Sequence, residues 1–228
     1  MVGDFSVDLR ADLLGRGSQG YVRKATNRNT NQDAAAKEIV CDGRVRRSEQ
    51  YIRILTELQV WERLSHPFLV EFLHADYVDN FLYLIFQYCE QGSLNDFINN
   101  NQLSMDLRKR FMWELSDVVQ YLHGENIMHR DIKPENTLVK TDSSGWHHIR
   151  LADLGLIKEL PEPRREVTAS FAGTIGWMAP EVYQAFGGER ARYSSMADVF
   201  STGLVFHSII TYNNQGRLHP IRGQFATN

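Results

Sequence analysis

Four polar residues have the types and the spacing that phosphoryl transfer requires. Asp131, Lys133 and Asn136 lie within one short stretch, and Asp153 follows after a segment whose pattern predicts a β-hairpin. If residues 129–136 form a tight loop, these side chains can converge on one small volume. Asn136 and Asp153 offer the oxygen ligands that Mg²⁺ prefers, Asp131 can position a hydroxyl, and Lys133 can offset phosphate charge.

A glycine motif near the N-terminus has the spacing Gly-x-Gly-x-x-Gly over residues 15–20. This spacing alone also fits a Rossmann turn, but such a turn should open a helix. Here residues 21–26 alternate as in a strand, residues 27–32 form a turn cluster, and residues 34–40 predict a third strand. The glycines are therefore predicted to cap a hairpin, where backbone amides can approach phosphate without a Cβ in the way.

Three further strings carry a family resemblance. Residues 129–136 read His-Arg-Asp-Ile-Lys-Pro-Glu-Asn, residues 153–155 read Asp-Leu-Gly, and residues 172–181 read Ala-Gly-Thr-Ile-Gly-Trp-Met-Ala-Pro-Glu. Together with the glycine motif, and in this order, they resemble the eukaryotic protein kinase family from about Leu9 to about Tyr212.

This resemblance implies an α+β, two-lobed fold over residues 1–228. A β-rich N-lobe would span residues 1–88, a hinge residues 89–93, and a mainly helical C-lobe residues 94–228. The implied reaction is transfer of the γ-phosphate of ATP to serine or threonine hydroxyls of protein substrates, with ATP and Mg²⁺ as cofactors.

The resemblance also assigns roles to the four polar residues. Asp131 is expected to orient the substrate hydroxyl, and Asn136 and Asp153 to bind the metal ions. Lys133 resembles the serine/threonine branch of the family, as does Thr174, whose hydroxyl is expected to bond Asp131 and Lys133. The string Asp-Leu-Gly at residues 153–155 departs from the commoner Asp-Phe-Gly.

Lys37 lies toward the end of the predicted third strand, at the position where the family has its α- and β-phosphate-binding lysine. The usual Val-Ala-Ile-Lys is Ala-Ala-Ala-Lys in this chain. Residues 46–64 have apolar residues at helical spacing, and Glu57 within them is the expected partner of Lys37. Glu49 and Glu62 remain alternative partners.

Two strands, Phe68–Val78 and Asn80–Phe86, are predicted to lead into the hinge, and Ser104–His123 is predicted as an amphipathic helix. Phe86 would be the gatekeeper, and the backbone of the hinge would bond the adenine. The residues that the resemblance implies around the nucleotide are Leu14, Gly15, Gly17, Gly20, Val22, Ala35, Lys37, Phe86, Gln87, Cys89 and Ser93.

The segment from Asp153 to Glu181 resembles the activation segment of the family. Ser170 stands at the usual site of activating phosphorylation, with Thr168 as a near alternative. An upstream kinase or self-phosphorylation would add the phosphate, which is expected to pair with Arg130 and Lys158. Residues 129–136 resemble the catalytic loop of the family and are called the catalytic loop below. Asp198 is expected to be buried at a helix start and to bond the backbone of this loop.

Composition narrows the remaining possibilities. The chain has 228 residues and a formal net charge of −3, which argues against a protein bound chiefly to nucleic acid. Cys41 and Cys89 are its only cysteines, so a reducing compartment is predicted, with the cytoplasm as first choice and the nucleus as the open alternative.

No segment has the length and apolarity of a membrane span. Adjacent His147 and His148 should face opposite sides of a strand, which disfavours a joint metal site.

Two readings compete with an active kinase. The match fades after Tyr212, whereas a complete large lobe continues with several helices, so a truncated, weakly active or inactive regulator that binds ATP or a partner protein is the alternative. A nucleotide-binding oxidoreductase built on the glycine motif is a third reading, and the string at residues 129–136 argues against it.

Overall fold

The computed structural model describes residues 1–8, 13–17, 20–41, 54, 58–153, 158–159, 166–169, 173–183 and 191–211. The backbone divides into two compact units. The first comprises Met1–Ser65 and Val70–Glu90, and the second comprises His66–Leu69 and Gln91–Asn228. Predicted Glu57 and Ser170 lie outside the described residues.

The first unit contains a six-stranded antiparallel sheet in the order β1-β3-β4-β6-β5, with β2 also paired to β3. Its strands are β1 Phe5–Val7, β2 Gly15–Gly17, β3 Gly20–Asn27, β4 Asp33–Val40, β5 Phe72–Val78 and β6 Phe81–Gln87. Residues 58–63, here called α1, are helical. The hairpin predicted beneath the glycine motif is therefore present, because β2 pairs with β3 from Gly15↔Val22 to Gly17↔Gly20.

Each face of this sheet carries its own apolar cluster, as the alternation of side chains along a strand requires. One cluster contains residues at or beside the sheet, Leu58 of α1 and the helical Ile54 that comes earlier in the chain: Ile39, Cys41, Ile54, Leu58, Leu82 and Leu84. The opposite cluster joins the N-terminal residues to the small residues of β3 and β4: Val2, Phe5, Ala25, Ala34, Ala36, Tyr83 and Ile85.

The strand predicted from Phe68 begins only at Phe72, so its first four residues were wrong. Residues 66–69 belong to the second unit, where Leu151 N donates to Phe68 O over 2.8 Å and Leu69 forms a parallel bridge with Leu151. The local sequence is apolar enough for a strand, but the Phe68 carbonyl oxygen bonds to a residue more than eighty positions away.

The second unit has four described helices, α2 Leu94–Asn100, α3 Met105–Gly124, α4 Pro180–Tyr183 and α5 Met196–Thr211. Ser93 and Ser104 are the N-caps of α2 and α3, and each Oγ accepts a backbone N–H three residues later. The predicted amphipathic helix is α3, which buries Phe111, Leu115, Val118, Val119 and Leu122. Among the described helices, none is long and apolar enough to cross a bilayer.

Short strands complete the second unit. They are β7 Ile127–Met128, β8 Thr137–Thr141, β9 His147–Leu151, β10 Lys158–Glu159, β11 Glu166–Ala169 and β12 Ala191–Ser194. They form three antiparallel pairs, β7 with β10, β8 with β9, and β11 with β12. One sheet-rich unit and one helix-rich unit give the α+β composition that the sequence predicts.

Candidate active site

The start of the catalytic loop is held by a buried carboxylate on α5. Asp198 is 1% exposed, and its two oxygens accept the N–H groups of His129 and Arg130 over 2.9 and 2.8 Å. His123 Nε2 lies 2.9 Å from the same carboxylate. Arg130 has a φ of +69°, which a non-glycine residue rarely adopts, and the bonded amides hold it there. The prediction that Asp198 is buried and bonds this backbone is confirmed.

His129 links the catalytic loop to the residue before Asp153. Its ring is fully buried, Nδ1 accepts the N–H of Asp131 over 3.3 Å, and Nε2 lies 3.0 Å from the Ala152 carbonyl oxygen. This pair of contacts places the ring proton on Nε2. Sequence reasoning missed this bridge, because no spacing rule ties position 129 to position 152.

Asp131, Lys133 and Thr174 form a closed triangle of hydrogen bonds. Thr174 Oγ1 donates to Asp131 Oδ1 over 2.7 Å. Lys133 Nζ donates to Asp131 Oδ2 over 2.7 Å and to Thr174 Oγ1 over 2.6 Å. Asp131 is 9% exposed. Both of its carboxylate oxygens are oriented by the donors Thr174 and Lys133. The triangle fixes the direction in which this carboxylate can receive a further donor.

Gly173 allows Thr174 to reach the catalytic loop. Its φ is +116°, and a Cβ at this position would lie 2.7 Å from the Arg130 carbonyl oxygen. Both facts restrict the position to glycine. Sequence reasoning used Gly173 only as part of a motif and did not identify this close approach.

Asn136 ends the 3₁₀ turn Pro134–Asn136, and Asp153 follows the hairpin that starts beside it. Asn136 Nδ2 donates to the backbone oxygen and to Oδ2 of Asp131, over 2.9 and 2.8 Å. The Asn136 side-chain oxygen is thereby turned away from Asp131 and keeps its acceptor capacity. The backbone oxygen of Asn136 accepts the N–H of Ala152 over 2.8 Å, which brings Asp153 to the same end of the hairpin.

This donor set fits a hard divalent cation held with few protein ligands. An amide oxygen and a carboxylate are ligands that Mg²⁺ accepts, and Mg²⁺ commonly completes its shell with phosphate oxygens and water. Among the described residues, no group of three or more His, Cys, Asp or Glu side chains could hold a metal ion by itself. Asn136 and Asp153 could supply two such oxygen ligands to Mg²⁺ here.

The hairpin that carries Asn136 and Asp153 is fastened to α3 by Glu114. This carboxylate is 1% exposed and accepts the Ile149 N–H over 2.9 Å, and its other oxygen lies 2.7 Å from His148 Nδ1. His147 instead contacts Thr141, over 3.1 Å. The two histidines thus have separate partners, as their predicted placement on opposite faces requires.

Asp142 shapes the turn of the same hairpin. Its Oδ1 accepts the amides of Ser144 and Trp146 over 2.8 and 2.9 Å. Hydrogen bonds from the Trp146 amide and then the Ser144 amide hold the pKa of the Asp142 carboxyl below its ordinary value, against a smaller opposing effect of desolvation.

His66 is packed on α3 in the segment that joins the second unit. Its ring stacks on Tyr121 with centroids 4.8 Å apart, Nδ1 accepts the Phe68 N–H over 3.2 Å, and Nε2 lies 3.4 Å from Asp117. Burial lowers the pKa of His66 below its ordinary value, and the Asp117 carboxylate opposes this shift without cancelling it. The acceptor role of Nδ1 also requires the neutral ring.

In the first unit, Lys37 lies in β4 between Val22 of β3 and Leu84 of β6. Gly20 is required by packing, because a Cβ there would lie 1.9 Å from the Glu38 carbonyl oxygen. A Cβ added at Gly15 would meet nothing within 4 Å, so packing does not require glycine at this position. The tip of the motif, residues 18–19, and Glu57 lie outside the described residues.

Phe86 lies in an aromatic cluster of the first unit. Its ring meets Trp61 edge-on at 5.1 Å and Phe72 at 5.6 Å between centroids. Ala35 is directly opposite Phe86 in the sheet. The packing gives Phe86 a fixed position at the end of β6, where the sequence predicts a gatekeeper.

The residues after Phe86 have further bonds of their own. The Gln87 N–H donates to the Glu71 carbonyl oxygen over 2.9 Å, so this amide is engaged within the sheet. Cys89 is buried and is not in a disulfide.

Ser93 accepts the Asp96 N–H and donates to the Asp96 carboxylate over 2.6 Å. Its role as a helix cap was missed, although the spacing Ser-x-x-Asp signals such a cap.

The remaining predicted residues lie in or beside short strands. Lys158 in β10 is opposite Met128, two residues before Arg130. Thr168 lies within β11, opposite Arg192 of β12. Leu14 precedes β2 and is 44% exposed.

Comparison with known proteins agrees with this geometry. Residues 10–219 match the family model of the protein kinase domain. The chain therefore belongs to the protein kinase family. The catalytic loop, the activation-segment threonine and the α5 aspartate described above all lie within the matched range.

One curated relative is a protein of Acanthamoeba polyphaga mimivirus named "Putative serine/threonine-protein kinase". It is 28% identical over 238 aligned residues, which cover 95% of this chain and 50% of the relative. The chain thus spans about half the length of this relative.

Proposed function

We propose that this chain is an ATP- and Mg²⁺-dependent serine/threonine protein kinase. The observation that carries the proposal is the triangle of Asp131, Lys133 and Thr174, with all three sides between 2.6 and 2.7 Å. A carboxylate held in this way is suited to accept the hydroxyl proton of a serine or threonine and to align its oxygen with a phosphorus atom.

Each residue of the site has a distinct task in this proposal. Asp131 orients the acceptor hydroxyl and receives its proton, and Lys133 offsets charge on the transferred group. Asn136 and Asp153 hold Mg²⁺, which neutralises phosphate charge when it is bound. Lys37 of the first unit is proposed to bind the α- and β-phosphates, with Glu57 as its partner.

The bond changes balance without any further reactant. The hydroxyl oxygen of the substrate forms a bond to the γ-phosphorus, the bond between that phosphorus and the bridging oxygen breaks, and ADP leaves with the electron pair. The hydroxyl proton goes to Asp131 and then to solvent.

Serine/threonine selectivity is supported by two features. Lys133 and Thr174 contact each other and the catalytic carboxylate, which is the arrangement expected for this branch. The name of the mimivirus relative specifies the same class. The cytoplasmic location stays a prediction from the sequence.

A transfer assay with radiolabelled ATP tests the proposal. The substrates are three peptides of one sequence that differ only in having serine, threonine or tyrosine as the acceptor. We expect Mg²⁺-dependent labelling of the serine and threonine peptides, and a loss of about 10²-fold or more in Asp131→Asn. Asp106→Asn, which changes an exposed acid at the start of α3, is the matched control and should keep full activity.

Three results would contradict the proposal. Labelling that is the same in the wild type and in Asp131→Asn would remove the role of the carboxylate. A thermal shift with Mg-ATP but no transfer to any acceptor would favour the regulator that binds nucleotide without catalysis. Labelling of the tyrosine peptide alone would reject the serine/threonine assignment.

A further inference from the structure

A cavity lies in the first unit, on the face of the sheet that carries the apolar cluster around Phe5 and Ile85. Its volume is about 450 Å³, within the range of roughly 300–1,000 Å³ that is typical of small-ligand sites. The lining comes from the N-terminal turn, the β3–β4 turn and the start of β5, and it includes Asp4, Phe5, Gln32, Asp33, Leu73 and His74.

The walls of this cavity are held in place by contacts between distant parts of the sheet. The strands β1 and β5 lie at opposite ends of the strand order, yet the Phe5 ring stacks on the His74 ring with centroids 6.3 Å apart. Arg28 holds the N-terminal turn, because its Nη2 donates to the Gly3 carbonyl oxygen over 2.8 Å and its backbone N–H to the Asp4 carbonyl oxygen over 2.9 Å. The cavity is therefore preformed, which lowers the cost of ordering it around a ligand.

The cavity is separate from the residues assigned to the nucleotide. His74 is directly opposite Ile85, and Ile85 is directly opposite Ala36, so these three residues share a face of the sheet. Lys37 follows Ala36 along β4 and belongs to the other face, because neighbours along a strand alternate. The cavity is thus a second candidate site in the first unit.

The charged groups of the lining favour a cation. The lining contains two acids and no lysine or arginine. Lys24 Nζ already contacts Asp33 Oδ2 over 2.8 Å. The Asp4 carboxylate has no hydrogen bond or ion pair within the part of the chain that the structure describes, so Asp4 is the acid that a bound cation would meet.

A buried acceptor lies on the same face of the sheet. Gln87 is directly opposite Ala34, a member of the apolar cluster on that face and the residue that follows Asp33. Its Oε1 is buried and has no hydrogen-bond partner among the described residues. Buried polar atoms are nearly always paired in proteins, so this acceptor favours a ligand that brings several N–H donors.

We propose that this cavity binds a guanidinium group, carried by an arginine side chain of a peptide segment or by a small molecule. A guanidinium is a flat cation that stacks on aromatic rings while its N–H groups bond a carboxylate. The stacked Phe5 and His74 rings supply the flat wall, and Asp4 supplies the anion. Gln32 adds an amide oxygen, and Leu73, which is 40% exposed, offers apolar surface to the methylene groups of the ligand.

The experiment is a titration of the full chain, followed by its backbone amide resonances, with Nα-acetyl-arginine methylamide as the probe. We expect saturable shifts at residues 3–5 and 73–74. The citrulline analogue has the shape of the probe without its charge and should bind at least about tenfold more weakly. The lysine analogue has the charge without the planar fork and should also bind more weakly than the arginine probe. The titration measures binding and not transfer, so its result is independent of the proposed function.

Two variants test the lining. Asp4→Asn removes the anion and should weaken binding of the arginine probe about tenfold. Gln32→Lys places a cation at the cavity and should abolish binding. Asp79→Asn is the matched control, because it removes the same charge from the β5–β6 turn of the same unit, where a φ of +47° suits asparagine, and it should bind like the wild type.

Equal binding of the arginine and citrulline probes, or of the arginine and lysine probes, would overturn the inference. Unchanged affinity in Asp4→Asn and Gln32→Lys would do the same, as would shifts confined to residues outside the cavity. The amide spectrum shows whether each variant folds, and Gln32→Lys decides the matter if Asp4→Asn does not fold. Agmatine, which carries the guanidinium without a peptide backbone, separates the two sources: tighter binding of the arginine probe identifies a peptide, and equal or tighter binding of agmatine identifies a small molecule.

Discussion

The α-carbon of Gly173 packs directly against the backbone of Arg130. A Cβ on residue 173 would come within 2.7 Å of the Arg130 carbonyl oxygen and 3.2 Å of Met178 Cε. Two segments that are more than forty residues apart in sequence therefore meet at a point that admits only a hydrogen. This contact places the next residue, Thr174, within hydrogen-bonding distance of Asp131.

Gly173→Ala should lower transfer activity at least tenfold. The added methyl group must displace the Arg130 carbonyl or pull Thr174 away, and a φ of +116° is strained for alanine by about 1–3 kcal/mol. Steady-state kinetics should show the loss mainly in kcat. Gly124→Ala is the matched control, since a Cβ there meets nothing within 4 Å, and equal activity of the two variants would contradict the argument.

Thr174→Val should reduce kcat by about 10–100-fold. The variant loses the hydrogen bond that Thr174 donates to the Asp131 carboxylate and the one that it accepts from the Lys133 ammonium group. Valine has nearly the shape of threonine but neither donates to Asp131 nor accepts from Lys133. Thr174→Ser keeps the hydroxyl and should recover most of the activity. If the serine and valine variants are equally impaired, the methyl group rather than the hydroxyl is the important feature.

Asp198→Ala should lower the free energy of unfolding by about 3 kcal/mol or more. Removing the carboxylate leaves the buried amides of His129 and Arg130 without acceptors, and each such group costs about 1–3 kcal/mol. Urea denaturation measures this change. Asp198→Asn keeps one acceptor oxygen and should lie between the alanine variant and the wild type, whereas Asp106→Asn on the surface should change little.

Acidification should weaken the second unit through His66. Because burial lowers the pKa of this ring below the ordinary 6.5, the unfolded chain binds more protons than the folded chain in the window just below pH 6.5. The contribution of His66 to stability is therefore complete above pH 6.5 and is lost as the pH falls through the folded pKa.

Denaturant unfolding between pH 7 and pH 5 measures this effect, with His66→Asn as the comparison. The asparagine oxygen can accept the Phe68 N–H in place of Nδ1 but does not titrate over this range. We expect a shallower loss of stability on acidification in the variant. Parallel pH profiles for the two proteins would show that the lowered pKa of His66 has no influence on folding.

Local features of the chain were predictable because they depend on residues close in sequence. Apolar spacing predicted α3 to within one residue at each end, and alternation with a turn cluster predicted β3 and β4. The spacing of Asp131, Lys133 and Asn136 predicted a converging loop, and each of these side chains is bonded to another of the three or to Thr174.

Contacts between distant segments were not predictable in the same way. Nothing in the local sequence pairs His129 with Ala152, Gly173 with Arg130, or β11 with β12. The segment 66–69 is apolar like its neighbours, yet its hydrogen bonds join it to the second unit. The residue types do not indicate which of these distant groups meet, because any accessible backbone amide or carbonyl could form the same hydrogen bonds.

The amino-acid sequence by itself determined the types and the spacing of Asp131, Lys133, Asn136 and Asp153, which motivate the proposed phosphoryl transfer, because separations along the chain are fixed by covalent structure. The tertiary structure decided how those groups are aimed. Asp198, His129 and Gly173 set the direction of the catalytic loop through bonds and close approaches across long stretches of chain, and such distances are fixed only when the whole backbone has packed.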